Sequence, residues 1–299
     1  MAKEFPGTLL EFEHWFRTEE SCCNYLARLR WPEGFVCPKC QTRKAWRTKK
    51  GRFHCEGCHS NVSLTAGTVF HRSKVSLRLW YRAMWWMTNQ KVGISAMGLQ
   101  RLLGLSSYKT AWIMLHKLRR AMVRPGREQL SGDVEVDETL VGGLTPGNPA
   151  RQAKNIVIIA AEIRGDGIGR IRLAKLRNDD GPAIVAFVKK SVVKGSLIAS
   201  DGAWAYSWLP DEGYRHRRIP RAGSKELPRV HRVAALLKRW LLGTFQGRTS
   251  EKQLQPYLDE FAFRFNRRTS ALRGQLFYRL LQQCAGNAPT PYHVIIRSS

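Results

Sequence analysis

Acidic residues are scarce in this chain. It carries 23 Asp+Glu against 50 Lys+Arg in 299 residues, a formal net charge of +27. The surplus runs through both halves rather than sitting in a tail. Such a field draws in polyanions, nucleic acid foremost. Long apolar runs are lacking too. No stretch approaches the roughly 18 apolar residues of a membrane span, and the start, Met1-Ala2-Lys3-Glu4-Phe5-Pro6, has no apolar signal core. The expectation is a cytoplasmic protein. Cysteines number only seven, at 22, 23, 37, 40, 55, 58 and 284. The odd count, in a reducing compartment, argues against a disulfide framework.

What is present is an ordinary apolar fraction, 43%, enough for more than one core at this length. Residues 8–30 read as a helix with Thr18 and Ser21 as caps and Leu26 and Leu29 on its stripe. Cys22 and Cys23 within it are expected to be small buried hydrophobes. Then come Cys37-Pro38-Lys39-Cys40, fourteen residues, and Cys55-Glu56-Gly57-Cys58. Two C-x-x-C knuckles at this spacing close a tetrahedral zinc site, and so small a module folds only around the ion. His54 and His59 flank a shell already filled by four thiolates and are expected at the surface. Lys39, Arg43, Lys44, Arg47, Lys49, Lys50 and Arg52 face a single acid, Glu56, within the ribbon. Phosphate contact is the expectation for Lys39, Lys44, Arg47, Lys49 and Lys50; a solvated charged hairpin is the alternative.

Residues 73–90 read as an aromatic core helix with Trp80, Trp85 and Trp86. Gly93-Ile94-Ser95 opens a second helix with Met97, Leu99, Leu102 and Leu103, which Gly104-Leu105-Ser106-Ser107 breaks. A third, 108–123, places Ala111, Ile113, Met114 and Leu118 inside. Lys109, Lys117, Arg119 and Arg120 fall outside, as candidate DNA contacts. Helix, glycine turn and basic helix make the pattern of a helix-turn-helix. Pro125-Gly126 marks a linker.

From 132 the rhythm changes. In 132–138, Val134 and Val136 point to one side of an extended chain, and Asp133, Glu135 and Asp137 to the other. A row of carboxylates on one strand face is tolerated at a solvated edge or around a cation. A glycine-rich turn follows in 139–148. Residues 156–161 form a continuous apolar run, hence a buried strand, and 168–176 alternate. A helix over 181–193 precedes another buried strand, 196–200, that ends on Asp201-Gly202. The stretch 211–228 is turn-rich and basic, and helices follow at 229–243 and 250–267. The whole is a mixed α/β unit with an acid at each of two strand ends, where open α/β sheets hold ligands. His231 offers a third member. Lys238 lies seven residues on, two helical turns, and shares its face.

Asp137 and Asp201 on strands, then a helix with a ligand and a Lys seven later, resemble the catalytic core of DDE transposases. Neighbouring words narrow the likeness: Arg30-Trp31-Pro32-Glu33-Gly34-Phe35-Val36 before the first knuckle, Thr65-Ala66-Gly67-Thr68 and Gly93-Ile94-Ser95. Further on come Val136-Asp137-Glu138 with Gly142-Gly143, and Asp259-Glu260-Phe261 with Arg264-Phe265-Asn266-Arg267-Arg268. Together they resemble insertion-sequence transposases with an N-terminal zinc ribbon, the ISXO-two-like group, over roughly residues 8 to 283.

The resemblance implies an RNase H-like α/β catalytic domain over 130–283. Before it stand a helical segment over 1–35, a zinc ribbon over 36–66 and a helix-turn-helix domain over 67–126; a tail over 284–299 follows. It implies a nucleoid-associated enzyme that binds double-stranded DNA at transposon ends and target, cuts and joins strands with two Mg²⁺ or Mn²⁺ ions besides structural Zn²⁺, and assembles as a homo-oligomer on DNA. Asp137, Asp201 and His231 would hold the catalytic metal, and Lys238 would meet DNA beside it. The chain departs from the usual pattern at His231, where most such enzymes carry a carboxylate. Either imidazole ligates, or the chain is a catalytically inactive DNA-binding regulator; an RNase H-like nuclease without strand transfer is a third reading. Glu226 and Glu260 are fallback carboxylates, and alternation puts Glu138 on the face opposite Asp137.

Overall fold

A computed structural model of the chain describes residues 4–48, 51–142, 155–220, 225–246 and 251–297. They form two compact units: residues up to 124 together with 270–297, and residues 125–269. Lys49, Lys50 and Gly143, along with most of the glycine-rich turn, lie outside the described residues.

The first unit opens with two helices where one was expected, α1 (Leu9–Trp15) and α2 (Glu19–Arg30). Each begins on a threonine whose hydroxyl accepts a backbone N–H three residues on and whose own N–H is capped in return. That second cap, at Thr18, is what splits the run. Strands β1 (Ala45–Arg47), β2 (Phe53–Cys55) and β3 (Asn61–Val62) make a small antiparallel sheet. Helix α3 (Leu77–Asn89) buries Trp80, Tyr81, Met84, Trp85 and Met87. Helix α4 (Ala96–Leu103) stops at Gly104, whose φ of 62° is the left-handed geometry glycine adopts without strain, and α5 (Tyr108–Ala121) follows. Two helices joined by a glycine turn thus stand where the sequence placed them.

The second unit is an RNase H-like core. Strands β4 (Asp133–Val141), β5 (Asn155–Arg164) and β6 (Gly167–Leu176) run antiparallel, while β7 (Leu197–Asp201) and β8 (Arg215–Ile219) lie parallel to β4. The order across the sheet is β6-β5-β4-β7-β8. Helix α6 (Gly181–Ser191) covers one face, against Val134, Val136, Ile158, Ala160 and Ile198. Helices α7 (Pro228–Phe245) and α8 (Leu254–Phe265) cover the other, against Val157, Ile159, Ala161 and Ala199. Val134 and Val136 of β4 thus face α6, while Glu135 and Asp137 face α7. Strand β8 lies inside the stretch read as turns. Its sequence, Arg215-His216-Arg217-Arg218-Ile219, shows no apolar alternation because it is an edge strand with exposed arginines.

The chain then returns to the first unit. Helices α9 (Gly274–Gly286) and α10 (Tyr292–Arg297) complete it. The Phe277 ring packs against Phe12, Phe16, Tyr81 and Trp85. The Val69 N–H donates to the Cys284 carbonyl at 3.1 Å. The expected split into a catalytic domain over 130–283 and a tail from 284 therefore differs from the packing. Residues 270–297 carry a core face that pairs with helices at the other end of the sequence.

Candidate active site and zinc ribbon

The four ribbon cysteines come together as the spacing required, with ligand atoms all within 4.8 Å of one another. Cys37 Sγ and Cys58 Sγ are 3.6 Å apart, and Cys40 Sγ and Cys55 Sγ 3.5 Å. Zn–S bonds of about 2.3 Å in a tetrahedron put sulfurs about 3.8 Å apart, so the set fits zinc. The Thr42 hydroxyl beside Cys40 holds that thiol down to about 6, and the Ser60 hydroxyl lowers Cys58. Both are thus biased toward the thiolate that binds metal. Cys22, by contrast, is buried and pushed up to about 12, as expected of a small core hydrophobe.

In the second unit the parallel register of β4 and β7 pairs Glu135 with Ala199. Two residues further along both strands stand Asp137 and Asp201. They lie beyond the last registered pair, on two adjacent strands, and by alternation on the same sheet face as Glu135 and Ala199. The proximity is felt: burial first, and the Asp201 charge in addition, raises the Asp137 pKa, against the lowering pull of the Glu138 N–H and of His231. Asp201 Oδ1 accepts the Ala203 N–H at 3.0 Å, which steadies the carboxylate at the strand end.

His231 arrives from the first turn of α7. Its Nε2 stands 3.7 Å from Asp137 Oδ2, too far for a hydrogen bond. That nitrogen is shielded from solvent and has no hydrogen-bond partner. An imidazole nitrogen without a hydrogen bond, facing a carboxylate at this distance, could hold a divalent cation between them, each ligand at about 2.1 Å. Among the described residues, only the four cysteines bring three or more potential ligands within 4.8 Å. The Asp137, Asp201 and His231 group is looser than that. Lys238 is exposed on the same helix, about 10.5 Å further along its axis.

The helix that delivers His231 is held by an acid. Helix α7 begins with Leu227 and Pro228, neither of which caps it by a side chain. Glu135, only 2% exposed, reaches over from β4. Its Oε2 accepts the N–H groups of Arg229 and Val230 at 2.7 and 2.9 Å, and its Oε1 accepts Arg229 Nη1 at 3.1 Å. A carboxylate at a helix N-terminus meets both bare N–H groups and the positive end of the dipole. Arg229 also donates to the carbonyls of Gly165 and Gly167 in the β5–β6 turn. The row of acids on β4 is thus divided between a structural cap and a candidate ligand, a division that strand alternation alone does not reveal. Glu138 does face away from Asp137. Tyr206 Oη donates to its Oε1 at 2.5 Å, and burial lifts its pKa to about 7.

Several expected positions change. Glu260, a fallback ligand, is fully buried on α8 beside Arg264 and points into the protein. Arg119, expected on the outer face of α5, is 1% exposed. Helix α5 is covered on several sides, so its buried arc reaches His116 and Arg119. Lys117 and Arg120 are half-buried; Lys109 is exposed and stands 4.4 Å over the Tyr292 ring. In the ribbon, Lys39, Lys44 and Arg47 are exposed, although Arg47 Nη1 donates to Asn24 Oδ1 at 2.7 Å. Met97 and Leu102 of α4 are exposed at 53% and 43%, against the apolar stripe read for that helix, which buries Ala96 and Leu99.

Residues 129–266 match the ISXO2-like transposase domain, and residues 17–61 the transposase zinc-ribbon domain. The chain thus carries a stretch similar to the ISXO2-like transposase domain and, ahead of it, one similar to a transposase zinc ribbon. A protein of Halobacterium salinarum, described as an uncharacterized protein in transposable element ISH50, is 27% identical over 276 residues, covering 83% of this chain and 91% of that one. Among solved structures, the catalytic core domain of BIV integrase aligns at 15% identity and a TM-score of 0.34 over 56% of this chain and 95% of that one. The Mos1 transposase paired-end complex aligns at 13% identity and 0.30 over 69% and 75%. Scores of that size carry no argument, and the likeness rests on the two domain matches. Among the described residues, no helix is long and apolar enough to cross a membrane.

Proposed function

We propose that this transposase cuts and joins DNA strands at transposon ends through a divalent-metal site made by Asp137, Asp201 and His231. The observation that carries the reading is the unpartnered His231 Nε2, 3.7 Å from Asp137 Oδ2. When bound, two divalent ions supply an activated oxygen nucleophile and charge stabilisation of the leaving oxygen in an in-line displacement at phosphorus. Asp137 and Asp201 give the negative charge that attracts the ions. His231 contributes a neutral nitrogen, which lowers the site's charge relative to three carboxylates. Lys238, on the same helix face, meets the DNA backbone beside the scissile bond. Exposed lysines and arginines of the ribbon and α5, Lys39, Lys44 and Lys109 among them, hold the flanking duplex. Joining two ends to one target calls for a homo-oligomer assembled on DNA.

The test is metal-dependent nicking of supercoiled DNA, followed by joining of a pre-cut end to a target duplex. Both activities should vanish in Asp137→Ala and Asp201→Ala. Nicking without joining would make the chain a nuclease only. No metal-dependent cleavage in the wild type would leave a DNA-binding regulator.

A further inference from the structure

The ribbon sheet has two unlike faces. One is closed: Phe53 stacks on Phe35 at 5.4 Å and meets Trp31 edge-on at 4.9 Å, with Val62 and the metal-binding cysteines behind it. The other carries a row of side chains set by strand register. Trp46 of β1 pairs with His54 of β2, and His54 with Asn61 of β3. The indole and imidazole rings lie 4.4 Å apart at 32°, and His54 Nδ1 donates to Asn61 Oδ1 at 3.1 Å. Trp46 is 51% exposed and Asn61 is exposed as well.

We propose that this Trp46–His54–Asn61 row is a DNA-reading surface, which contacts base edges in the major groove of a duplex. The inference rests on the transposase reading above and deepens it by naming a specificity element. Three arguments support it. Leaving a large aromatic half in water forgoes burial worth a few kcal/mol, which a partner surface recovers. The row carries polar groups rather than an apolar patch: an indole N–H, an imidazole nitrogen and an amide, of which the amide is the natural partner of an adenine edge. The surrounding charge selects a polyanion, since Lys39, Lys44 and Arg52 are exposed in a ribbon with one acid, Glu56. Size agrees. Three adjacent strands span about 9.6 Å between the outer two, within a major groove about 12 Å wide. The ribbon lysines would then take phosphates on the groove walls while the row reads between them.

The experiment uses the full zinc-loaded chain and two duplexes of equal length, one copied from the DNA flanking its gene and one scrambled. Affinities are measured by fluorescence anisotropy over a series of salt concentrations, with zinc content checked for every variant. Trp46→Ala and Asn61→Ala should each lower the preference for the flanking duplex about tenfold. The slope of log affinity against log salt should not change, and Trp46→Phe should keep part of the preference. Lys44→Ala should instead weaken both duplexes alike and reduce the slope by about one. The inference is overturned if Trp46→Ala and Asn61→Ala leave both affinities intact, or weaken both equally. If the wild type itself fails to prefer the flanking duplex, end recognition falls, and this reading with it.

Discussion

The Glu135 carboxylate accepts two backbone N–H groups and the guanidinium of Arg229. Glu135 stands two residues before Asp137 and Arg229 two residues before His231. One ion pair, its carboxylate buried, therefore ties β4 to the start of α7, the two elements that carry Asp137 and His231. Glu135→Gln keeps the shape and loses the charge. It should lower Mn²⁺ affinity about 10- to 100-fold, as loss of an orienting partner does elsewhere, with titration calorimetry as the readout. Glu135→Ala leaves Arg229 without its partner and should destabilise the second unit by about 3 to 5 kcal/mol in urea unfolding. Unchanged metal affinity in a folded Glu135→Gln protein would show that the pair is a brace for the helix only.

Nitrogen in place of a carboxylate oxygen changes which metal serves. Wild-type cleavage should require more Mg²⁺ than Mn²⁺ for half-maximal rate, because the softer ion accepts imidazole better. His231→Glu should lower the half-saturating Mg²⁺ concentration on the order of tenfold. Identical metal curves for the two proteins would remove His231 from the ligand set.

Phe277 belongs to the core of the N-terminal unit, although more than 180 residues separate it from α3. Phe277→Ala should cost about 3 to 5 kcal/mol, and the loss should appear in the first unit. Hydrogen exchange resolved by peptide makes the distinction: faster exchange in α1 and α3 with protected β4 and β5 is expected, and the reverse pattern would contradict the packing.

His116 is fully buried on α5, and burial, with Arg119 and Arg120 adding to it, lowers its pKa to about 3. Below about pH 6.5 the unfolded chain takes up a proton that the folded chain refuses. Stability contributed here is complete above that pH and is lost as pH falls toward 3, with a slope approaching about 1.4 kcal/mol per unit. Acid also strips zinc from the ribbon, so the comparison is between wild type and His116→Gln over the same range. The variant should show the shallower acid slope; parallel curves would count against a neutral buried imidazole.

Much of this was written locally. Zinc knuckles depend on cysteine spacing, two of the helix starts on the Thr18 and Ser95 hydroxyls, and the strand faces on alternation at Val134 and Val136. Those features need only a few neighbouring residues, so the sequence by itself determined the ribbon, the helical segment and the α/β unit, and it singled out Asp137, Asp201 and His231. What only tertiary structure decided involves partners far along the chain. Helix α9 shares the N-terminal core because its apolar face fits α1 and α3, and Arg119 is inside because several helices cover α5. Strand β8 exists because β7 offers its unpaired edge. Glu135 is a helix cap rather than a ligand because α7 happens to begin above it. In each case the free energy comes from a surface that another segment presents, and no local pattern records which segment that will be.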